Sequence, residues 1–422
     1  MASSLPLEIH ELIIDEFKNS SKILKSSSLV SRTWLSRCRK HLFRHLKLQY
    51  QPKICIQTEG TSEWESWSPI AHEASTNDFA GIEEPEEARK MLSLGALLEV
   101  SQIRRCIREL SFAGANSNGG QNFGRSLFHL AANVHFPALC SLSVSFCESL
   151  NPWNIPAIVG FLSINPTLEY LALIGLRLDD NGVRELVECV RTIGSLESLR
   201  LERVSWVRHG GSLENLYPTS HTHPISRSAV FSNLALFEVD CVLIDLLLNT
   251  VLYMDHLHEL TVEWHCLAFY CEEGRENTGY RLISGSNLSR LALTRHSSGP
   301  TMSIEDLHVI FDALAAADLS CLTSLELHFL NAHDGTFQEA LKYLSALRTP
   351  LSELFIAFEY GPRKAFMPSI DRVLENFARS CLSLKRVEFR IWNFIDKFRS
   401  ESLAGASSFV DIDVVRGISG CN

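Results

Sequence analysis

The sequence predicts an α/β chain in two parts: a short N-terminal helical module, then a solenoid in which short strands and helices alternate. Three observations predict it. The first 48 residues place apolar side chains at helical spacing among basic groups. From about residue 101 the spacing L-x-x-L-x-L, loosely kept, recurs ten times with starts 23–38 residues apart. The segments between these hexapeptides are amphipathic at helical period and open on capping residues.

In the module, "LPLEIHELIIDEF" (residues 5–17) places Pro6 in the first turn of a helix, where its missing N–H costs nothing. Leu5, Ile9, Leu12, Ile13 and Phe17 then share one face, with Glu8, Glu11 and Asp15 away from it. "NSSK" (Asn19–Lys22) interrupts, and a second helix runs through Ile23 and Leu24. A third, from about Ser31, places Trp34, Leu35, Cys38 and Leu42 on one stripe, with Arg32, Arg37, Arg39 and Lys40 around it. Three helices in so few residues bury too little apolar surface to stand alone. The apolar face must therefore dock, either on the rest of the chain or on a partner.

In the body, the hexapeptides are "IRELSF" at 107, "LCSLSV" at 139, "LEYLAL" at 168, "LESLRL" at 196 and "LALFEV" at 234, then "LHELTV" at 257, "LSRLAL" at 288, "LTSLEL" at 322, "LSELFI" at 351 and "LKRVEF" at 384. Between them, "DDNGVRELVECVRTI" aligns Val183, Leu186, Val187, Val190 and Ile193 after an Asp cap. "SIEDLHVIFDAL" pairs Ser303 with Asp306 at capping-box spacing and aligns Leu307, Ile310, Phe311 and Leu314. "GTFQEALKYLSAL" and "SIDRVLENFARSC" repeat the arrangement. Strand, turn, helix and next strand at this period is the logic of a degenerate leucine-rich-repeat solenoid, a curved sheet of short strands with helices on the convex side. An ordinary α/β domain is the other reading; it fits less well because no Gly-rich phosphate loop follows any strand. The organisation expected is a helical module over 1–48, a connecting segment over 49–100, the solenoid over 101–400 and a tail over 401–422.

Alternation turns the third, fifth and seventh motif positions away from the core. In the units at 234 and 257 these are Leu236, Glu238, Asp240, Glu259, Thr261 and Glu263. The four acids form a candidate client-binding patch for a basic segment, or are charged simply for solubility. Further on the outward set is mixed: Arg290, Glu326, Glu353, Phe355, Arg386, Glu388 and Arg390. Two insertions interrupt the scheme. Residues 57–90 hold nine Asp/Glu together with Trp64 and Trp67 and read as an acidic loop. Residues 205–230 make a long loop, either a binding element or disorder.

Composition excludes several classes. No run reaches the 18 or so apolar residues of a membrane helix, since Asp240 and Asp245 break the best one, Val239–Met254. The first residues have no basic leader and carry Glu8, His10 and Glu11, so no signal peptide is expected. Twelve cysteines without a C-x-x-C pair suit reduced thiols and an intracellular protein, cytoplasmic or nuclear. Residues 1–48 hold nine Lys/Arg against four Asp/Glu, a net of +5, leaving −15 on the rest of a chain of net −10. A basic head on an acidic body suggests a different partner for each. A nucleic-acid-reading helix is disfavoured, because the basic groups surround the third helix instead of lining a face. His256, His258, His265, Cys266 and Cys271 crowd one region, but without the compact pairs of a structural zinc site; no metal and no other cofactor is expected. None of G-x-S-x-G, H-E-x-x-H, G-x-x-x-x-G-K-[ST] or G-x-G-x-x-G occurs, and the glycines of Gly114–Gly124 lack such spacing. No catalytic residue is nominated, and the chain is not expected to be an enzyme.

"LPLEIHELII" followed by "ILKSSSLVSRTWLSRCRKHLF" resembles an F-box of the form common among fungal F-box proteins. Leu5, Pro6, Glu8, Ile13 and Phe17, then Leu24, Leu29, Val30, Ser31, Arg32 and Trp34, carry the resemblance, which covers about 45 of the 422 residues. The departure is "KSSSLVS", where such relatives often have a more apolar or cysteine-containing run. The resemblance implies docking on a Skp-type adaptor of a cullin-RING (SCF-type) ubiquitin ligase. Leu5, Pro6, Ile9, Ile13, Leu24, Val30 and Trp34 would be the exposed adaptor contacts, with packing on the body the other reading for such a face. Because those adaptors are acidic, the local positive charge would aid encounter. The function expected is a substrate-recruiting receptor whose repeat body binds an unknown protein client, with no nucleic acid and no membrane. The alternative is a leucine-rich-repeat scaffold acting without a ligase.

Overall fold

A computed structural model describes residues 7–49, 100–113, 134–145, 154–207, 231–250, 254–271, 276–285, 287–294, 303–317, 319–329, 339–340, 342–344, 346–347, 349–360, 367–393 and 406–416. Leu5, Pro6, the 57–90 loop with Trp64 and Trp67, the glycines of 114–124 and nearly all of the 205–230 insertion lie outside the described residues. The chain divides into two compact units, Met1–Ala138 and Leu139–Asn422. No described helix is long and apolar enough to cross a membrane.

The first unit opens with three helices, α1 (Leu7–Glu16), α2 (Ser21–Ser27) and α3 (Arg32–Leu42). Ser31 starts α3, its hydroxyl accepting the Trp34 N–H at 3.2 Å and so satisfying one of the orphan donors of the first turn. The core between the helices is small: Ile14, Leu24 and Cys38 are buried, with Trp34 and Leu42 partly buried against them. The stripe expected to pack is turned outward. Ile9, Leu12, Ile13 and Phe17 are all exposed, and the face of α1 toward α3 is His10, Ile14 and Asp15. Polar contacts set that rotation, since the side chains of His10 and Asp15 pair with Trp34, Arg37 and His41 of α3.

The same unit contains β1 (His45–Gln49), the short helix α4 (Ser101–Arg104) and β2 (Glu109–Ala113). β1 and β2 are parallel, with Leu46 opposite Leu110 and Leu48 opposite Phe112. "FRHLKL" from Phe43 is therefore a repeat hexapeptide in phase with "IRELSF", and the expected boundary at 48 falls inside a repeat strand.

In the second unit the strands β3 (Ser141–Ser145), β4 (Tyr170–Ile174), β6 (Ser198–Glu202), β8 (Asn233–Phe237), β9 (Glu259–Glu263), β10 (Arg290–Thr294), β11 (Ser324–Phe329), β12 (Glu353–Tyr360), β13 (Arg386–Asn393) and β14 (Asp411–Arg416) lie side by side in that order. All neighbouring pairs are parallel and in register. Two residues each from β5 (Arg177–Leu178) and β7 (Ser205–Trp206) form a second, small ladder. Helices α5 (Asn154–Ile164), α6 (Asp180–Thr192), α7 (Cys241–Thr250), α8 (Trp264–Cys271), α9 (Glu276–Ile283), α10 (Ile304–Ala316) and α11 (Met367–Ser380) connect the strands. Asp179 caps α6 by accepting the Gly182 N–H at 2.7 Å. Ser303 and Asp306 form the expected capping box of α10.

The first, fourth and sixth motif residues build the core. Leu168, Leu171 and Leu173, for example, are wholly buried, as are Leu354 and Ile356, each such side chain contributing about 1.5–3 kcal/mol on removal from water. One phase differs from expectation. In the unit read at 234, Leu236 is buried, and the hexapeptide is "FSNLAL" from Phe231. Pairing decides it, because Leu199 stands opposite Leu234 and Leu201 opposite Leu236. The segment expected as a tail also contributes a strand, β14, with Ile412 opposite Val387.

A hydroxyl ladder joins successive units. Ser or Thr occupies the second motif position in four of the five consecutive strand units from Phe231 to Ile356, His258 being the exception, and each hydroxyl donates to the carbonyl of the second motif residue of the previous unit. Ser232 donates to the Glu197 carbonyl at 3.2 Å, Ser289 to His258 at 3.0 Å, Thr323 to Ser289 at 3.1 Å and Ser352 to Thr323 at 3.0 Å. The same carbonyls receive two backbone N–H groups each, as at His258, which accepts from Ser289 and Arg290. These bonds hold the repeat period where the loops between vary in length.

Candidate functional site

Two surfaces invite binding, one on each unit. On the first unit the exposed apolar residues include Leu7, Ile9, Leu12 and Ile13 of α1, Phe17 just after it, Ile23 of α2, and Leu29 and Val30 of the turn before α3. Val30 is 67% exposed and Leu29 87%, an arrangement that costs solvation unless another surface covers it. Of the expected adaptor contacts, Ile9, Ile13 and Val30 stand in the open. Leu24 does not: it is 1% exposed and closes the core of the module. Trp34 is half-buried, its indole N–H donating to His10 Nδ1 at 2.6 Å with the two rings edge to face. Trp34 is thus partly core and partly surface.

An ion cluster locks the module. Asp15 accepts from Arg37 through both carboxylate oxygens and from His41 Nε2 at 2.7 Å. The Arg37 hydrogen bonds hold the Asp15 carboxyl well below the usual carboxylate range, against partial burial, with His41 adding to the effect. This cluster fixes α1 against α3 and so fixes the outward turn of the apolar stripe.

On the second unit the outward positions form three rows across the sheet. The expected four-acid patch is not among its features. Glu259 is exposed on the sheet face. Glu263, the seventh-position residue, is fully buried. Glu238 lies beyond the end of β8 with φ 49°, and Asp240 spends its carboxylate on the Val242 N–H at 2.9 Å as α7 begins. Strand length is the reason: β8 stops at Phe237, so alternation no longer applies to Glu238 and Asp240.

The residue after the strand adopts the left-handed conformation in three consecutive units: Gly175, Arg203 and Glu238. Gly175 N–H donates to the Glu202 carbonyl at 2.8 Å and Arg203 N–H to the Phe237 carbonyl at 2.7 Å. In the third unit the acceptor is a side chain, Glu263 Oε2 at 3.1 Å from the Glu238 nitrogen. The buried carboxylate completes a backbone ladder.

The most connected polar network lies farther along, over β10 to β14. Register aligns Glu326, Phe355, Glu388 and Asp413 in one row, with His328, Ala357 and Arg390 in the next. Glu326 accepts from Arg390 Nη1 at 2.6 Å and Arg290 Nη2 at 3.2 Å, and pairs with His328 Nε2 at 2.8 Å. Arg390 Nε also donates to Glu388 at 2.6 Å, and Arg386 bridges Glu388 at 2.7 Å and Asp413 at 3.0 Å. The Arg390 guanidinium covers the Phe355 ring with its carbon 4.8 Å from the centroid, leaving that ring 8% exposed. Burial raises the Glu326 pKa, but His328, Arg390 and Arg290 outweigh it and hold it at about 2. The result is a surface network of three arginines held by paired carboxylates. The outward placement of most of these residues was legible in the sequence; their mutual pairing was not, nor was the part of His328, the seventh residue of its unit, or of Asp413, which lies in the segment expected as a tail.

Near the end of β9, the histidine and cysteine crowding resolves into a tight group of Glu263, His265 and Cys266. Burial, followed by the neighbouring Glu263, pushes the Cys266 thiol up to about 11.

A stack of parallel strand–helix units, each packed on its neighbours, is the architecture of a solenoid repeat protein. No protein-family model matches the chain, and no curated protein matches it. Among solved structures it is similar to the leucine-rich repeat-containing protein LegL7 from Legionella pneumophila, at 14% identity and TM-score 0.43, over 73% of this chain and 90% of that one.

Proposed function

We propose that this chain is a non-catalytic substrate receptor of an SCF-type ubiquitin ligase. The α1–α3 module docks on an acidic Skp-type adaptor, and the open sheet face of the repeat body holds a protein client for ubiquitin transfer by other subunits. The observation that carries the reading is the outward apolar stripe of α1 together with Leu29 and Val30, on a segment of net positive charge. Ile9, Ile13, Val30 and the exposed edge of Trp34 are the contacts, and Leu24 supports them from beneath. Nine described cysteines are free thiols, which suits a reducing intracellular compartment. Tethering acts by raising the effective concentration of a client lysine near the charged ubiquitin carrier.

The test is co-purification of the full chain with a Skp-type adaptor, alongside the double variant Ile13→Glu, Val30→Glu. Both positions are exposed, so the variant should fold and lose the adaptor. A folded wild-type chain that fails to bind the adaptor would overturn the reading and leave a repeat scaffold acting without a ligase.

A further inference from the structure

The geometry points to a metal site at the β9–α8 junction, where Glu263, His265 and Cys266 bind a zinc-type divalent ion. β9 ends at Glu263 and α8 begins at Trp264 with no residue between them, whereas three residues separate β8 from α7. This abrupt junction brings the side chains of residues 263, 265 and 266 close together. One ligand atom from each lies within 4.8 Å of the others.

The donor set is a carboxylate oxygen, an imidazole nitrogen and a thiol, the set that zinc takes. His265 Nδ1 lies 3.4 Å from Glu263 Oε1, against about 3.3 Å between two ligands on a tetrahedral ion with bonds near 2.0 Å. Cys266 Sγ lies 3.5 Å from the other ring nitrogen, Nε2. One ring nitrogen binds the ion, so the imidazole must turn to bring that nitrogen toward both Glu263 and Cys266.

Two further observations single the place out. His265 Nδ1 is a buried atom that makes no hydrogen bond, although it faces the carboxylate. In register with Glu263 on the neighbouring strand stands Thr294, whose Oγ1 is likewise buried without a hydrogen-bond partner. Buried polar atoms left this way call for a partner, which an ion or a water can supply. The Glu263 carboxylate is itself fully buried, and an ion bound by it and a Cys266 thiolate would leave the group electrically neutral. Because Glu263 Oε2 also accepts the Glu238 N–H, the ion would brace the left-handed turn after β8 through its ligand.

The full chain, stripped with a chelator, is titrated with Co²⁺ as the probe. The expected result is a thiolate-to-cobalt charge-transfer band that saturates at one equivalent and is extinguished by Zn²⁺. C266A should abolish the band with the far-ultraviolet dichroism unchanged. E263Q, which keeps an acceptor for the Glu238 N–H, and H265A should each weaken binding by about tenfold or more. No band in the wild-type chain would mean a His265–Glu263 pair only and would overturn the site. So would a band that survives C266A, or wild-type affinity in both E263Q and H265A, since groups elsewhere in the chain would then be the ligands.

Discussion

Removing the charge of Glu326 tests the network on the open sheet face most directly. Glu326 is 6% exposed and is joined to Arg290, Arg390 and His328. Its pKa falls from 4.5 to about 2 on folding, which at about 1.36 kcal/mol per unit corresponds to about 3 kcal/mol. The Arg290 side chain is 44% exposed, so water screens its share, and about 2–3 kcal/mol is the working magnitude. A carboxylate with a lowered folded-state pKa stabilises above its unfolded value and loses that contribution as pH falls through the folded value. The contribution is therefore complete above about pH 5, and about 2 kcal/mol of it is gone by pH 3. Urea unfolding of the wild type and Glu326→Gln at pH 7, 5 and 3 measures this. The variant should be less stable by about 2–3 kcal/mol at pH 7, and the difference should shrink toward pH 3. An equal pH dependence in the two chains would refute the reasoning, because the titrating charge would then be elsewhere.

Two other substitutions probe the body. Gly279 of α9 faces α8, and an added Cβ would lie 2.3 Å from Cys271 Sγ, 3.0 Å from the Tyr270 carbonyl carbon and 3.1 Å from the Cys271 nitrogen. The thiol can turn away but the backbone cannot, so Gly279→Ala should destabilise by about 1–2 kcal/mol despite its better helix propensity; a chain of equal or higher stability in urea would contradict the close α8–α9 approach. Arg203 holds a left-handed φ of 51° at the position Gly175 fills in the preceding unit. Arg203→Gly should raise stability by up to about 1 kcal/mol, and a lower unfolding midpoint would show that its exposed ion pair with Glu202 matters more than the backbone strain.

Much of the fold was legible because the period of a strand and that of a helix leave different marks. "LEYLAL" and "LTSLEL" alternate as a strand must when one face is buried, and Leu307, Ile310, Phe311 and Leu314 repeat as a packed helix face must. The failures are equally particular. At 231–239 the run "FSNLALFEV" satisfies the hexapeptide spacing twice, three residues apart, and nothing local chooses between the two. In α1 the apolar residues 9, 12, 13, 14 and 17 span so wide an arc that periodicity cannot say which part faces inward. In "DIDVVR" the alternation is too short to distinguish a final strand from a tail.

The sequence by itself determined the succession of strands and helices, their caps and most of the core, since these follow from local spacing and from hydroxyls or carboxylates within reach of the next turn. Only the tertiary structure decided which arc of α1 is left open, that Leu24 is core, that Glu238, Asp240 and Glu263 leave the sheet face, and that Glu326 gathers an arginine from β10 and another from β13. Each of these depends on groups far apart in the chain. Register, helix rotation and strand length place them, and no window of residues contains that information.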